Sequence, residues 1–254
     1  MKIVCIGSGN VATHMAIAFK EVGAEIIQVW SQNFRNAEIL AAFTQAQPIN
    51  NWNDLDRTAD CYLIAVKDDA IAMVAEHLKG VNGVVIHTSG ATALQTLSIV
   101  GHRYGVLYPL QTFSKSKAVD LKQVPLCIEG DSAETLEKVS VIAHLLSPLV
   151  SVVSTEQRQI LHLAAVFACN FSNHLYALSS AILEQHQLKF DLLKPLIAET
   201  AEKIKSSAPS SVQTGPAVRG DDETMKKHLA LLDESPSLQA IYKMLSKSIK
   251  SNNL

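Results

Sequence analysis

The sequence predicts an α/β protein in which a mostly parallel sheet is followed by an all-helical region. Short β-branched apolar runs alternate with helical patterns over residues 1–154, which is typical of a parallel sheet covered by helices on both faces. From Thr155 onward the apolar residues follow only the helical period. We therefore predict two domains, residues 1–154 and residues 155–254.

The predicted elements follow from the continuous apolar runs and from the helical spacing between them. The predicted strands are residues 2–6, 25–30, 61–66, 84–87, 105–108, 126–129 and 149–154. The predicted helices are residues 11–22, 35–42, 69–78, 133–146, 155–185, 190–206, 224–232 and 236–249, with a loop over 208–220. Apolar residues are so dense in helix 155–185 that we expect much of it to be buried.

Composition excludes several classes of protein. The 254 residues are 48% apolar and 18% charged, with a formal net charge of -2, which argues against a disordered chain and against nucleic-acid binding. No apolar run reaches the roughly 18 residues of a membrane span, and the opening residues resemble a strand rather than a signal peptide. Four cysteines lie in apolar runs without C-x-x-C spacing, so we expect buried, reduced thiols and a cytoplasmic location. They are Cys5, Cys61, Cys127 and Cys169.

A glycine-rich turn follows the first strand. It consists of Gly7, Ser8, Gly9, Asn10, Val11 and Ala12, and it opens a helix. This is the G-x-G-x-x-A fingerprint of dinucleotide-binding folds in its expected context. Gly7 permits the tight turn, Gly9 lets the backbone approach a pyrophosphate, and Ala12 lets the helix pack closely on the strand. The helix N-terminus would then face the phosphates.

The end of the second strand predicts NADP rather than NAD. NAD enzymes place Asp or Glu here to bind the ribose 2′-hydroxyl. This chain has no carboxylate between Trp30 and Arg35, whereas Ser31 and Asn33 can donate hydrogen bonds and Arg35 can supply charge. The alternative is that Arg35 is solvated and that Ser31 or Asn33 only caps the next helix.

Further site residues are expected at later strand ends, because ligands of open α/β sheets bind there. Ala65, Val66 and Lys67 should pass beside the ribose and the nicotinamide, and His87 and Ser89 could contact nicotinamide or substrate. Gln111 and Thr112 are expected on the substrate side. For each polar residue a purely structural role stays open.

The helical half contributes the remaining candidates. His162, Asn170 and Asn173 are polar positions on an otherwise apolar helix, and such groups must find partners when buried. A histidine can donate or accept a proton near neutral pH. We therefore predict His162 and Asn170 as catalytic and Asn173 as substrate-binding, with a hydrogen-bonded core or dimer contact as the alternative. Arg219, on a loop with glycine and proline, could clamp a carboxylate or phosphate. No cluster matches a metal site.

Together these segments resemble known families. The motifs are residues 7–12, 87–91, 108–113, 162–170 and 214–221. The N-terminal half resembles the NADP-binding, Rossmann-type domain of pyrroline-5-carboxylate reductases, F420-dependent NADP oxidoreductases and 3-hydroxyacid dehydrogenases. The whole chain is similar to an uncharacterised family that joins such a domain to a helical C-terminal domain of unknown function. That resemblance implies a helical domain like that of 6-phosphogluconate dehydrogenases, which commonly mediates dimerisation.

The resemblance implies an NADP-dependent oxidoreductase. Hydride would pass between nicotinamide and a small C=O, C=N or deazaflavin-type partner in an interdomain cleft, and the chain would form a homodimer. One position departs from the hydroxyacid dehydrogenases, which carry a lysine four residues before the asparagine where this chain has Val166. His162 is the candidate replacement. The alternative function is a non-catalytic, NADP-binding sensor or partner protein.

Overall fold

Eight strands form one sheet. The computed structural model describes residues 1–251. The strands are β1 Lys2–Ile6, β2 Glu25–Trp30, β3 Gln47–Ile49, β4 Cys61–Ile64, β5 Val84–His87, β6 Tyr104–Pro109, β7 Leu126–Gly130 and β8 Val150–Val152. Their order in the sheet is β3-β2-β1-β4-β5-β6-β7-β8. The predicted fold class, a mostly parallel sheet followed by a helical region, is confirmed.

The strands pair in parallel with one exception, which is the antiparallel pair β6 and β7. A parallel neighbour requires a crossover that carries the chain back to the starting edge of the sheet. Between β6 and β7 the chain forms a 3₁₀ turn at Leu121–Gln123 and no α-helix. The chain therefore returns in the opposite direction.

Each face of the sheet packs on its own hydrophobic core. Successive side chains of a strand point to opposite faces. In β1, Ile3 and Cys5 belong to one core, whereas Val4 and Ile6 belong to the other. Both cores are fully buried at these positions. This double burial explains why the central strands read as continuous apolar runs.

Helices cover the two faces. Those that precede residue 166 are α1 Asn10–Glu21, α2 Phe34–Thr44, α3 Ile71–His77, α4 Ala133–Leu146 and α5 Thr155–Ala165. Side-chain caps define the start of three of them, because Asn33, Ser132 and Ser154 accept hydrogen bonds from backbone N–H groups of the first turn. After α5 the chain continues through a π-helical segment, Val166–Phe171, into α6 Ser172–Gln185.

The chain divides into two compact units between His174 and Leu175. The change from strands to helices comes earlier, near Ser154, where the sequence analysis places the domain boundary. The difference arises because α5 is held to the sheet unit by its buried side chains Thr155 and Arg158. The first unit therefore contains the sheet together with α5.

The second unit is helical throughout its described residues. Beyond α6 it contains α7 Lys194–Lys203, α8 Pro216–Arg219, α9 Asp222–Leu231 and α10 Pro236–Lys250. Asp221 caps α9 by accepting a hydrogen bond from the Thr224 N–H. A 2.9 Å hydrogen bond between His228 Nδ1 and the Tyr242 hydroxyl joins α9 to α10. No described helix is both long enough and apolar enough to cross a membrane.

Four sequence-based expectations are wrong in detail. The three-residue edge strand β3 was not predicted, and the predicted loop 208–220 contains the short helix α8. The helix over residues 155–185 is mostly exposed rather than buried, and its exposed apolar side chains include Ile160, Leu163 and Phe167. Cys169, expected to be buried, is exposed on the same surface, whereas the other three cysteines are buried and all four are free.

Candidate functional site

A cavity of about 1090 Å³ lies at the carboxyl ends of the parallel strands. Its walls come from the segments that follow β1, β2, β4, β5 and β6, and from His162 on α5. The lining residues are Gly7, Ser8, Gly9, Asn10, Val11, Trp30, Ser31, Gln32, Asn33, Phe34, Asn36, Ala65, Val66, Lys67, Asp68, Ala70, Met73, Val74, Thr88, Ser89, Gly90, Tyr108, Pro109, Gln111, Phe113 and His162. All of them belong to the first compact unit.

The glycine-rich turn forms one end of this cavity. Gly7 has a φ of +122° and donates a 2.8 Å hydrogen bond to the Trp30 carbonyl. A Cβ there would collide with the Ala65 carbonyl group, so a side chain is excluded. Gly9, in contrast, has no atom within 4 Å of the place its Cβ would take. The backbone at Gly9 is thus exposed to the cavity just before α1 begins, and it can accept a close ligand such as a pyrophosphate.

The segment after β2 supplies neutral polar groups. The Ser31 hydroxyl lies 2.9 Å from the Ser8 hydroxyl, which links this segment to the glycine-rich turn. Asn33 caps α2 by accepting a 3.1 Å hydrogen bond from the Arg35 backbone. The Arg35 side chain is exposed and does not line the cavity. The described structure therefore brings Ser31 and Asn33 to the cavity, but not the predicted arginine.

Two tryptophans lie beside this segment. Trp30 lines the cavity and stacks on Trp52 with ring centroids 4.1 Å apart. Trp52 stacks in turn on His77 at 4.5 Å. Sequence analysis did not single out either tryptophan, because a tryptophan is most often a packing residue.

The turn after β5 is held by its own side chains. The Ser89 hydroxyl accepts hydrogen bonds from the backbone N–H groups of Ala91 and Thr92 at 3.1 and 2.9 Å. His87 is buried behind the turn, and its Nδ1 accepts a 3.2 Å hydrogen bond from the Ser89 N–H. Burial, together with the nearby charge of Arg158, lowers the pKa of His87 to about 3. His87 is thus neutral at physiological pH and supports the turn from outside the cavity lining.

A fully buried guanidinium fastens this turn to α5. Arg158 Nη1 donates to the backbone carbonyls of Ser89, Gly90 and Thr92 at 2.9, 3.2 and 2.7 Å. Its Nη2 forms a 3.1 Å ion pair with Glu129 on β7. Sequence analysis missed Arg158, because an arginine in the first turns of a helix is most often solvated. Its partners come from distant parts of the chain.

Tyr108 and His162 form a hydrogen-bonded pair in the cavity wall. The Tyr108 hydroxyl lies 3.0 Å from His162 Nδ1, and the two rings meet edge to face with centroids 5.8 Å apart. A Cβ on Gly90 would lie 2.6 Å from His162 Nδ1 and 2.9 Å from Tyr108 Cζ. Only glycine leaves room for the pair. Tyr108 was not among the predicted site residues, although its strand end was.

The segment after β6 is attached to α1. Asn10 Nδ2 donates a 2.9 Å hydrogen bond to the Phe113 carbonyl, and His14 Nε2 lies 2.9 Å from the Ser114 carbonyl. Gln111 lines the cavity, whereas the neighbouring Thr112 does not. Asn10 therefore has two roles. It belongs to the glycine-rich turn, and its side chain holds the segment after β6, which forms another wall of the cavity.

The predicted site residues divide into two groups. Those that line the cavity are Gly7, Ser8, Gly9, Asn10, Val11, Ser31, Asn33, Ala65, Val66, Lys67, Ser89, Gln111 and His162. Those outside its lining are Ala12, Arg35, His87, Thr112, Asn170, Asn173 and Arg219. Ala12 is a core residue and Asn170 lies in the π-helical segment. Arg219 belongs to the second unit, where it lies 4.0 Å from Asp221. The binding and catalytic roles of both groups stay predictions.

Two domain-family models match the chain. Residues 2–89 match the family described as NADP oxidoreductase, coenzyme F420-dependent. Residues 124–249 match DUF2520, a domain of unknown function. No curated protein matches the chain. The resemblance inferred from the sequence motifs is thereby confirmed for both halves.

Several solved structures are similar to this chain over nearly its whole length. A protein of Bacteroides fragilis, named as a candidate NADP oxidoreductase, is 39% identical, with a TM-score of 0.93 over 99% of this chain and 98% of that chain. A protein from Thermotoga maritima is 23% identical, with a TM-score of 0.74 over 99% and 97% of the two chains. An imine reductase from Myxococcus stipitatus in complex with NADP⁺ is 18% identical, with a TM-score of 0.65 over 99% and 92%.

Proposed function

Because this chain belongs to the family that joins an F420-dependent-type NADP oxidoreductase domain to DUF2520, we propose that it is an NADP-dependent oxidoreductase. Its second substrate would be a small C=O, C=N or deazaflavin-type compound. One observation carries the proposal: a single cavity contains both the glycine-rich turn and the Tyr108–His162 pair. A site for a dinucleotide and a polar group for substrate thus lie in one space.

The lining residues fit a nicotinamide dinucleotide. Gly9 offers open space and unblocked backbone at the start of α1, where a pyrophosphate is favoured by the helix N-terminus. Lys67 adds a positive charge to the lining after β4. When bound, such a cofactor supplies or accepts a hydride at the nicotinamide ring. The protein would bind and orient it, and would polarise the substrate through the Tyr108–His162 pair.

We propose NADP rather than NAD as the preferred cofactor. The support is the segment after β2, where Ser31, Gln32 and Asn33 line the cavity and no carboxylate is present to repel a 2′-phosphate. The N-terminus of α2 begins directly after Asn33 and favours an anion there. Arg35 is not needed for this proposal.

Replacing Ser31 with aspartate should reverse the cofactor preference. A carboxylate at this position would face the 2′-phosphate, and apposed like charges cost several kcal/mol, so NADPH affinity should fall at least about tenfold. NADH affinity should be kept or improved, because aspartate can accept hydrogen bonds from a free ribose hydroxyl. Isothermal titration calorimetry with both cofactors measures the effect. The neutral variant Ser31→Asn is the control, and equal losses for NADPH and NADH in S31D would contradict the proposal.

The substrate end of the cavity lies around His162. Ser89 and Gln111 provide further polar groups in its lining. A carbonyl or imine carbon is the class of acceptor that needs both a hydride and a proton, and a polar group beside it can assist the proton transfer. Asn170, Thr112, Asn173 and Arg219 are kept as predicted catalytic or substrate-binding residues.

The direct test is an acceptor panel. Purified protein and NADPH are mixed with cyclic imines, 2-keto acids, simple ketones with amines, and a deazaflavin, and NADPH oxidation is followed by absorbance. Turnover of at least one class supports the proposal. Tight NADPH binding without turnover of any class would instead favour the second candidate function, a non-catalytic NADP-binding sensor. That alternative draws its support from Val166, which stands where related dehydrogenases carry lysine.

We further propose that a second copy of this chain covers the exposed face of α5 and the π-helical segment. Its apolar stripe consists of Ile160, Leu163, Phe167 and Phe171, which recur at helical spacing. Ile160 is 66% exposed and Phe167 is 64% exposed. Continuous apolar surface of this kind is typical of an interface, and one helix packing on its own counterpart gives a closed, symmetric dimer.

Replacing Phe167 with glutamate is expected to convert the dimer into a monomer. The glutamate carboxylate would lose its water in the interface without gaining a partner. The free energy of this desolvation is expected to exceed the free energy of dimer association. Light scattering coupled to size-exclusion chromatography gives the mass. Phe43→Glu is the matched control, since Phe43 is also 64% exposed but lies on α2, and this variant should stay dimeric. A monomeric wild type, or a dimeric F167E variant, would contradict the proposal.

A further inference from the structure

Tyr108 places a hydroxyl group in the wall of the cavity. It lies one residue before the end of β6, with its ring packed among buried apolar residues, and its hydroxyl reaches the cavity wall. Within the described structure the single hydrogen-bond partner of that hydroxyl is His162 Nδ1, at 3.0 Å. A buried tyrosine hydroxyl usually finds a hydrogen-bond partner, but here the partner is a titratable side chain and both residues line the ligand cavity.

The surroundings hold the pair in place. Gly90 lies against both rings, since even a methyl group there would contact His162 and Tyr108 at less than 3 Å. The Gly90 carbonyl is held in turn by the buried Arg158. The two side chains therefore lie on a backbone surface that is fixed by hydrogen bonds, which is the pre-organisation expected of catalytic groups.

The surroundings of the two side chains suit a proton donor and its supplier. Burial raises the pKa of the Tyr108 hydroxyl, which therefore keeps its proton at neutral pH. His162 is only partly buried, and its Nε2 has no hydrogen-bond partner among the described residues, so this nitrogen is open to water. A tyrosine facing substrate and a histidine reaching solvent form a short path for one proton.

We propose that Tyr108 is the proton donor of the reaction and that His162 reprotonates it. The assignment rests on the proposed reductase function. As the acceptor carbon gains a hydride with its two electrons from the reduced nicotinamide, the Tyr108 O–H bond breaks and its proton moves to the acceptor nitrogen or oxygen. The resulting phenolate takes the proton from Nδ1 of His162 while Nε2 of the same ring takes a proton from water. The starting tautomer of His162 then returns by proton exchange with solvent before the next turnover. The net reaction consumes one hydride and one proton.

The kinetic test compares two tyrosines of the same strand. Tyr108→Phe should lower kcat at least about 100-fold while the NADPH affinity stays near that of the wild type, since general acid catalysis typically contributes 10²–10⁴-fold. Tyr104→Phe is the matched control, because Tyr104 begins β6 and does not line the cavity, and its kcat should be unchanged. His162→Gln should lower kcat by a smaller factor. Wild-type kcat in Y108F together with a large loss in H162Q would overturn the assignment, because His162 would then be the donor itself.

A second measurement does not depend on turnover. The ¹⁵N resonances of the His162 ring, assigned by difference from H162Q, are recorded in the wild type and in Y108F with and without NADP⁺. The assignment predicts that loss of the phenol shifts Nδ1 and leaves Nε2 nearly unchanged. Unchanged Nδ1 shifts would overturn it. A wild type that binds NADPH but reduces no acceptor would refute the proposed function, and the ring resonances would still decide whether the pair exists.

Discussion

Replacing Arg158 with methionine is expected to destabilise the sheet unit by about 3–5 kcal/mol, the usual cost of breaking a buried ion pair by removing one partner. Methionine matches the length of the arginine stem but has no donors. The substitution leaves Glu129 without its cation, and it leaves the carbonyls of Ser89, Gly90 and Thr92 without their shared donor. Each unpaired buried carbonyl adds a desolvation penalty.

Chemical denaturation of the variant measures this effect. Lys138→Met is the control, because Lys138 forms an exposed ion pair with Glu134 on α4 and should contribute less than about 1 kcal/mol. The loss of unfolding free energy in Arg158→Lys should lie between the losses in R158M and K138M. Lysine keeps the charge but lacks the planar guanidinium that reaches several acceptors. An R158M protein as stable as K138M would show that α5 is held to the sheet without the guanidinium.

Replacing Gly9 with alanine is expected to weaken NADPH binding at least about tenfold, which corresponds to 1.4 kcal/mol. The added methyl group would take the space through which a pyrophosphate approaches the backbone. The fold should tolerate it, because φ at Gly9 is -75° and no protein atom lies within 4 Å of the new Cβ. Alanine is a poorer helix N-cap than glycine, but it also restricts the unfolded chain, so the free energy of unfolding should change by less than about 1 kcal/mol.

Gly7→Ala provides the contrast. At φ +122°, with the Ala65 carbonyl in the way, alanine strains the backbone and should reduce both stability and NADPH affinity. Calorimetric binding and thermal unfolding, measured on the same samples, distinguish a variant that loses only NADPH affinity from one that also loses stability. If G9A bound NADPH as tightly as the wild type, the glycine-rich turn would not be the pyrophosphate site.

Local features of this fold were predictable from the sequence, whereas its distant contacts were not. The glycine-rich turn was recognised because all of its parts lie within six consecutive residues. The bounds of β1, β2, β5 and α4 match the predicted ranges, because continuous apolar runs or helical spacing delimit them. The edge strand β3 escaped prediction because it has only three residues and contains Pro48, which is typical of a sheet edge rather than of a strand.

The rest of the site depends on packing. Tyr108 and His162 are 54 residues apart, and Arg158 and Ser89 are 69 apart. Nothing in the periodicity of either segment shows which turn of α5 will meet which strand end. The expected burial of helix 155–185 was wrong for a related reason. Hydrophobicity shows that a surface should be covered, but it does not show that the cover comes from the same chain.

The stacked indoles beside the glycine-rich turn provide an intrinsic fluorescent probe of the cavity. The chain contains two tryptophans, and both belong to this stack, with Trp30 in the cavity lining. All indole emission of the chain therefore originates from this stack, which contacts the cavity through Trp30. Reduced nicotinamide absorbs at the wavelengths where tryptophan emits. Binding of the reduced cofactor should therefore quench the tryptophan fluorescence by energy transfer and excite the fluorescence of the nicotinamide. Because the two indole rings stack at 4.1 Å, their electronic transitions couple. The near-ultraviolet circular dichroism of the chain should therefore contain a band that depends on this stack.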